Sequence, residues 1–169
     1  EDKWIFREGE GIAGRLYNLL DQDPDRVLLA YSVLFSLAGT PIIYYGDEVG
    51  MENNDQFYNQ MKEETGYVDS RFLNRGPFDE QRKEEALTTL EADSYRIFNG
   101  LQEMIAKRKQ QQDLFTIRPD YRQQQGVFIS ERTSKEQQLT IYNNLTAQPQ
   151  QVERVELAPY EYQWQATKS

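Results

Sequence analysis

The sequence predicts an α/β segment followed by an all-β segment, and three observations carry that expectation. A helix pattern apolar almost all round, Val27 to Leu37, leads into the short uninterrupted apolar run Pro41-Ile42-Ile43-Tyr44-Tyr45. A second helix, with one apolar face made by Tyr95, Ile97, Phe98, Leu101, Met104 and Ile105, closes that half. Beyond it come short β-like runs separated by turn-rich or glutamine-rich stretches. A helix followed closely by a strand reads as α/β, and short strands at such spacing read as a small antiparallel sheet or sandwich.

Taken in order, Gly9, Gly11 and Gly14 predict a loop entering a short helix over Arg15 to Leu20. The run G-E-G-I-A-G is no nucleotide-binding fingerprint, because no strand pattern precedes it. Asp23-Pro24 predicts a helix start, with Asp23 accepting first-turn amides and Pro24 at the first helical position. Gly39 ends that helix. The apolar run 42–45, bounded by Pro41 and Gly46, reads as a strand buried on both faces. Asp47 to about Glu91 reads as a long polar loop, of the kind that often carries function. Ser94 is the expected cap of the second helix, and Lys107-Arg108-Lys109 suit its C-terminal end. Strands are expected at 126–129, 139–142, 152–157 and 160–164, with a domain boundary near 111–118.

Composition narrows the function classes. The 169 residues carry a formal net charge of −9, which argues against nucleic acid and against an anionic membrane surface. No apolar run approaches the ~20 residues of a membrane-spanning helix. There is no cysteine and no histidine, so disulfides, thiolate metal sites and imidazole base chemistry are excluded within the chain. The absence of cysteine fits a reducing compartment, and the cytoplasm is the expected location. The chain starts Glu1-Asp2-Lys3-Trp4, without Met or a signal pattern, and reads as a piece of a longer protein.

The run Leu37-Ala38-Gly39-Thr40-Pro41-Ile42-Ile43-Tyr44-Tyr45-Gly46-Asp47-Glu48-Val49-Gly50-Met51 resembles a signature of the α-amylase superfamily, glycoside hydrolase family 13. The resemblance implies that residues 1–112 are the C-terminal portion of a (β/α)8 TIM barrel, with its eighth strand, long loop and last helix. Ala106-Lys107-Arg108-Lys109 is similar to the end of that helix. Residues 113–169 are implied to be a β-sandwich C-terminal domain. Asp69-Ser70-Arg71-Phe72 followed by Arg75 resembles a D-S-R-W…R segment of the amylosucrase subgroup, with Phe72 in place of Trp. Trehalose synthases and oligo-glucosidases share the strand motif, but their loops usually carry an R-T-P-M-Q-W element that this chain lacks.

Retaining glycosidases need two carboxyl groups about 5 Å apart across the scissile bond. In the resembled family the three catalytic carboxylates lie on earlier strands, one of them in a His-Asp motif, so none is expected here. The loop after a barrel strand's C-terminal end does build the substrate site. The resemblance therefore implies Arg71 as a sugar-holding residue, with Arg75 as second choice. A guanidinium is a rigid donor fork for hydroxyls or a carboxylate; an ordinary loop salt bridge is the plain alternative. Asp47 and Glu48, adjacent at a strand end, point to opposite sides and suit a structural role. The acidic group Glu48, Glu52 and Asp55 lacks calcium-loop spacing, and no metal or cofactor is expected. Asn144-Leu145-Thr146 matches a glycosylation triplet, with a turn as the simpler reading. Tyr162 and Trp164 read as core rather than sugar platforms.

The expected function is that of a C-terminal fragment of a retaining hydrolase or transglucosylase acting on α-glucan, maltooligosaccharide or sucrose. The fragment itself is expected to be inactive and, with its barrel surfaces uncovered, to self-associate. The alternative is a non-catalytic β-domain, either carbohydrate-binding, which an exposed row of coplanar aromatics would support, or structural, with its aromatics buried.

Overall fold

The computed structural model describes residues 13–168. The expected loop glycines Gly9 and Gly11 lie outside them. The chain divides into two compact units that alternate along the sequence: residues up to Pro24 with Ile43–Phe98, and Asp25–Ile42 with the residues from Asn99 onward.

The first unit is helical. It contains α1 (Leu16–Leu19), α3 (Asp55–Thr65), α4 (Glu80–Thr88) and the beginning of α5 (Asp93–Gln110), with α2 (Pro24–Ser36) starting at its boundary. The stretch expected to be a long loop thus holds two helices. Both have side-chain caps: Asn54 accepts from the Phe57 amide at 2.8 Å, and Asp79 from the Arg82 amide at 3.0 Å. The weak apolar periodicity reflects their exposure, since α3 buries no residue and α4 buries only Ala86. Val49, Met51 and Ala86 form a small core with Phe78 and Phe98 against it. Tyr17 donates to Asp93 Oδ2 at 2.6 Å. Ser94 is not the cap of α5 but lies inside its first turn, and its hydroxyl turns to Glu85.

The second unit joins α2 and most of α5 to the β-rich part. As expected, α2 starts at Pro24 and buries Val27, Leu28, Leu29, Tyr31 and Phe35. A Cβ at Gly100 of α5 would lie 2.5 Å from Leu28, so the two helices approach through the missing side chain. The sheet has the order β1-β2-β3-β6, all antiparallel, from β1 (Asp120–Gln124), β2 (Val127–Thr133), β3 (Gln137–Asn144) and β6 (Tyr162–Lys168). A hairpin of β4 (Gln150–Val152) and β5 (Val155–Leu157) closes over one face, enclosing Val127, Ile129, Tyr142, Val152, Val155 and Leu157. Each fully buried aliphatic there contributes roughly 1.5–3 kcal/mol. The other face buries Leu139 and Ile141 with Leu114, Phe115, Ile117 and Trp164. These layers match the expected small antiparallel β-domain.

Three strand expectations change. Residues 152–157 are a hairpin, because Glu153 turns the chain with φ 57°. β1 falls in a glutamine-rich stretch where all five positions are exposed, so no alternation marked it. The run Ile42–Tyr45 carries no ladder, and Ile42 is 80% exposed, Tyr44 41% and Tyr45 40%. A doubly buried parallel strand needs hydrogen-bonding neighbours, and the described residues supply none.

Two arginines hold the C-terminal end of α2. Arg108 donates to the Phe35 carbonyl at 2.5 Å and to Gly39 at 2.8 Å. Arg132, 1% exposed, donates to Ser36 at 2.8 Å and Leu37 at 3.0 Å. The guanidiniums lie 4.0 and 4.4 Å from the centre of the Phe115 ring. The last carbonyls of a helix have no partner of their own, and cations suit that end of the helix dipole.

Tyr142 links the sheet to the hairpin by donating to Glu153 Oε2 at 2.8 Å. Burial, that hydrogen bond and the carboxylate's charge push its phenol from 10.0 up to about 12. The hydrogen bond holds Glu153 below its ordinary range, with Arg122 reinforcing it. A phenol whose pKa is raised on folding stabilises fully below its unfolded value, and the contribution disappears as pH rises through the folded value. Stability should therefore fall between pH 10 and pH 12, by on the order of 2 kcal/mol for Tyr142 alone. Urea unfolding across this range should show a shallower fall in the Tyr142→Phe variant; an unchanged slope would refute the linkage.

Candidate functional site

The candidate site grows from the glycine-bounded turn after the apolar run. Asp47–Val49 forms a 3-10 turn between Gly46 (φ 89°) and Gly50 (φ 65°), both left-handed. The Met51 amide donates back to the Gly46 carbonyl at 2.8 Å, closing the turn. Beyond Asn54, whose amide donates to the Leu73 carbonyl at 2.8 Å, a second 3-10 turn spans Ser70–Leu73 and carries Arg71.

Asp69 organises that second turn. Its Oδ1 accepts from the Arg71 amide at 2.9 Å and from Arg71 Nε at 2.8 Å, and its Oδ2 accepts from Arg71 Nη2 at 2.6 Å. The Arg71 hydrogen bonds hold the Asp69 carboxyl below its ordinary range, and the charge of Arg75 adds to the effect. Most of the donor fork of Arg71 is thus engaged by its own loop. Arg75 is exposed, and its charge reaches both Asp69 and Tyr44. The two sequence-expected arginines share one acidic neighbour.

Sequence reasoning missed a third arginine. Arg15 is 1% exposed and lies beneath Tyr44 and Tyr45, its guanidinium 5.1 and 4.7 Å from their ring centres. Its amide donates to Asn53 Oδ1 at 2.8 Å, and Nη1 to the Tyr45 carbonyl at 2.5 Å. Asp47 Oδ1 is 3.7 Å from the same nitrogen. Nε and Nη2 are buried without a partner. The available signal was a lone cation between Gly14 and an apolar helix start. The Tyr44 and Tyr45 rings stand 4.7 Å apart at 54°, and the Tyr45 hydroxyl donates to the Gly76 carbonyl at 2.9 Å. Burial and Tyr45 push the Tyr44 phenol up against the opposing charges of Arg15 and Arg75. Two tyrosine faces, two accessible arginines and a carboxylate therefore gather on one surface. Such a set can stack on and hydrogen-bond a polyhydroxylated ligand, but it holds no opposed pair of carboxyl groups for glycoside cleavage.

The other candidates resolve locally. Asp47 orients Arg15, and Glu52 pairs with Arg82 and accepts from Gln22 at 2.9 Å. No group of three His, Cys, Asp or Glu able to hold a metal occurs among the described residues. The Asn144 amide group is buried and donates to Gln148 and Ala158 carbonyls, both at 2.8 Å, so it serves the turn. Trp164 packs into the core and donates to Ser32 Oγ at 3.0 Å.

No protein-family profile matches the chain. It is 50% identical over 44 residues to the trehalose synthase of Pimelobacter sp. (strain R48), covering 26% of this chain and 8% of that protein. With the trehalose synthase of Thermus thermophilus the identity is 51% over 49 residues, 29% of this chain and 5% of that protein. In structure it resembles the cyclic α-maltosyl-(1→6)-maltose hydrolase of Arthrobacter globiformis, with TM-score 0.67 and 21% identity, covering 93% of this chain and 33% of that one. The maltogenic amylase of S. marinus gives TM-score 0.64 and 16% identity, covering 89% of this chain and 20% of that one. The chain thus spans a small part of the curated relatives it matches and a third or less of these structures. The relatives and structural neighbours are α-amylase-family enzymes, and the fold is that of their C-terminal region with its β-domain.

The turn's geometry predicts one mutational effect. At Gly46 a Cβ would lie 2.2 Å from Met51 Sδ, at a backbone angle that side chains avoid. Gly46→Ala should destabilise the first unit by about 1–3 kcal/mol. Amide hydrogen exchange should show loss of protection around 46–51; unchanged protection would contradict the strain.

Proposed function

We propose that this chain is the C-terminal part of a retaining α-amylase-family enzyme, a hydrolase or transglucosylase acting on an α-glucan or maltooligosaccharide. The observation that carries the reading is the surface of Tyr44 and Tyr45, from the family-like run, with Arg71 and Arg75 from the loop after it. Residues 1–112 supply the end of the barrel and residues 113–169 the β-domain. Arg71 and Arg75 hold the sugar, while the carboxylates that cleave the bond come from the rest of the protein.

A narrower reading, sucrose as substrate in the manner of amylosucrases, is supported by the Asp69-Ser70-Arg71-Phe72 turn with Arg75 beyond it. Against it stand the stretches shared with trehalose synthases. Exposure of Ile42 follows from the same proposal, since neighbouring strands would cover it in a whole barrel. The isolated chain then self-associates.

The test is an assay of the 169-residue chain and of the full-length parent on maltose, trehalose, maltooligosaccharides and sucrose. The expected result is turnover by the parent alone, lowered at least tenfold in its Arg71→Ala or Arg75→Ala variant (about 1.4 kcal/mol of transition-state binding). In sedimentation velocity the isolated chain should run as oligomers. Turnover by the isolated chain would refute the division of labour, and a monodisperse monomer would refute self-association. Saturable glucan binding by residues 113–169 would favour the carbohydrate-binding alternative.

A further inference from the structure

A cavity of about 290 Å³ lies within the second unit. Phe35, Pro41, Ile105 and Phe115 line it, with Arg108 and Lys109 contributing its charge. The charge is strongly one-sided. Arg108 and Arg132 both face the Phe115 ring, and neither pairs with a carboxylate among the described residues. Their partners are backbone carbonyls and the Ser130 hydroxyl, and Nε of Arg132 is buried without any partner. Burial lowers the pKa of each guanidinium, and the charge of Arg108 lowers that of Arg132 further. Lys109 is exposed and forms no ion pair among the described residues. In a chain of net charge −9, this is a local excess of positive charge beside an apolar hollow.

We propose that this cavity binds a small anionic amphiphile, one aromatic ring in size and carrying a carboxylate. The ring enters between Phe35, Ile105 and Phe115 and leaves water. The carboxylate lies at Lys109 and Arg108, where partial desolvation strengthens the attraction over its value in bulk water. A neutral sugar is a poor occupant, because its hydroxyls would face apolar walls without partners. The site is therefore independent of the sugar surface at Arg71 and Arg75, and its failure would leave that reading untouched.

The test uses 4-nitrobenzoate, a ring-sized carboxylate that quenches tryptophan. Trp164 stands 6.1 Å from Phe115, ring centre to ring centre, and Trp4→Phe leaves it the sole reporter in the full chain. Saturable quenching is expected, weakening as salt is raised. The neutral 4-nitrobenzamide should bind about tenfold more weakly, and Lys109→Glu should weaken the acid by about the same factor. Lys109→Met should fall between Lys109→Glu and the parent chain, and the unfolding midpoints should remain alike. Quenching that rises linearly without saturation, equal binding of acid and amide, or binding unmoved by Lys109→Glu would overturn the proposal.

Discussion

The second unit depends on how one helix ends. The carbonyls at the end of α2 have no partner along their own helix. Left bare in a buried place, each would cost about 1–3 kcal/mol. Arg108 from α5 and Arg132 from β2 supply the donors, with Phe115 packed against both guanidiniums. One helix, the end of a second and the end of a sheet strand are thereby held to one point. One buried and one half-buried cation without carboxylates are tolerated because helix-end carbonyls and an aromatic face are both negative partners. The same arrangement leaves a positive edge on the cavity beside it.

The first unit follows a different rule. It has little core, and its order comes from turns and caps: Asn54 and Asp79 start helices, Gly46 and Gly50 bound a 3-10 turn, and Asp69 shapes the turn that presents Arg71. The residues of the candidate site are thus carried by short-range geometry. Arg15 beneath them is the exception, a buried guanidinium with two unpartnered nitrogens. Asp47, the Tyr45 carbonyl and the two tyrosine rings offset the desolvation of that charge.

Much of this was legible in the sequence because the signals were local or strongly periodic. Asp23-Pro24 marked the start of α2, and the apolar face of Tyr95 to Ile105 marked α5. β2, β3 and β6 carried β-rich runs. What escaped had no such signal. The helices α3 and α4 are mostly exposed and therefore lack an apolar stripe, although Asn54 and Asp79 were readable caps. β1 is exposed at every position. Ile42–Tyr45 had the composition of a buried strand, but a strand's burial is conferred by its neighbours. At the site, Arg71 and Arg75 came from a resemblance, whereas the Arg71–Asp69 fork and the Arg15–tyrosine stack are three-dimensional facts.

The composition of β1 has a consequence for how the molecule behaves in a crowded solution. Its residues are Asp120, Tyr121, Arg122, Gln123 and Gln124, it is an edge strand of the sheet, and Arg122 reaches across to Glu131 and Glu153. A charged side chain engaged in this way guards an open ladder against a passing strand. The run 42–45 pairs in no ladder, and its nearest cation, Arg15, lies beneath the tyrosine rings. The β1 edge is therefore a poor starting point for strand-to-strand pairing between copies.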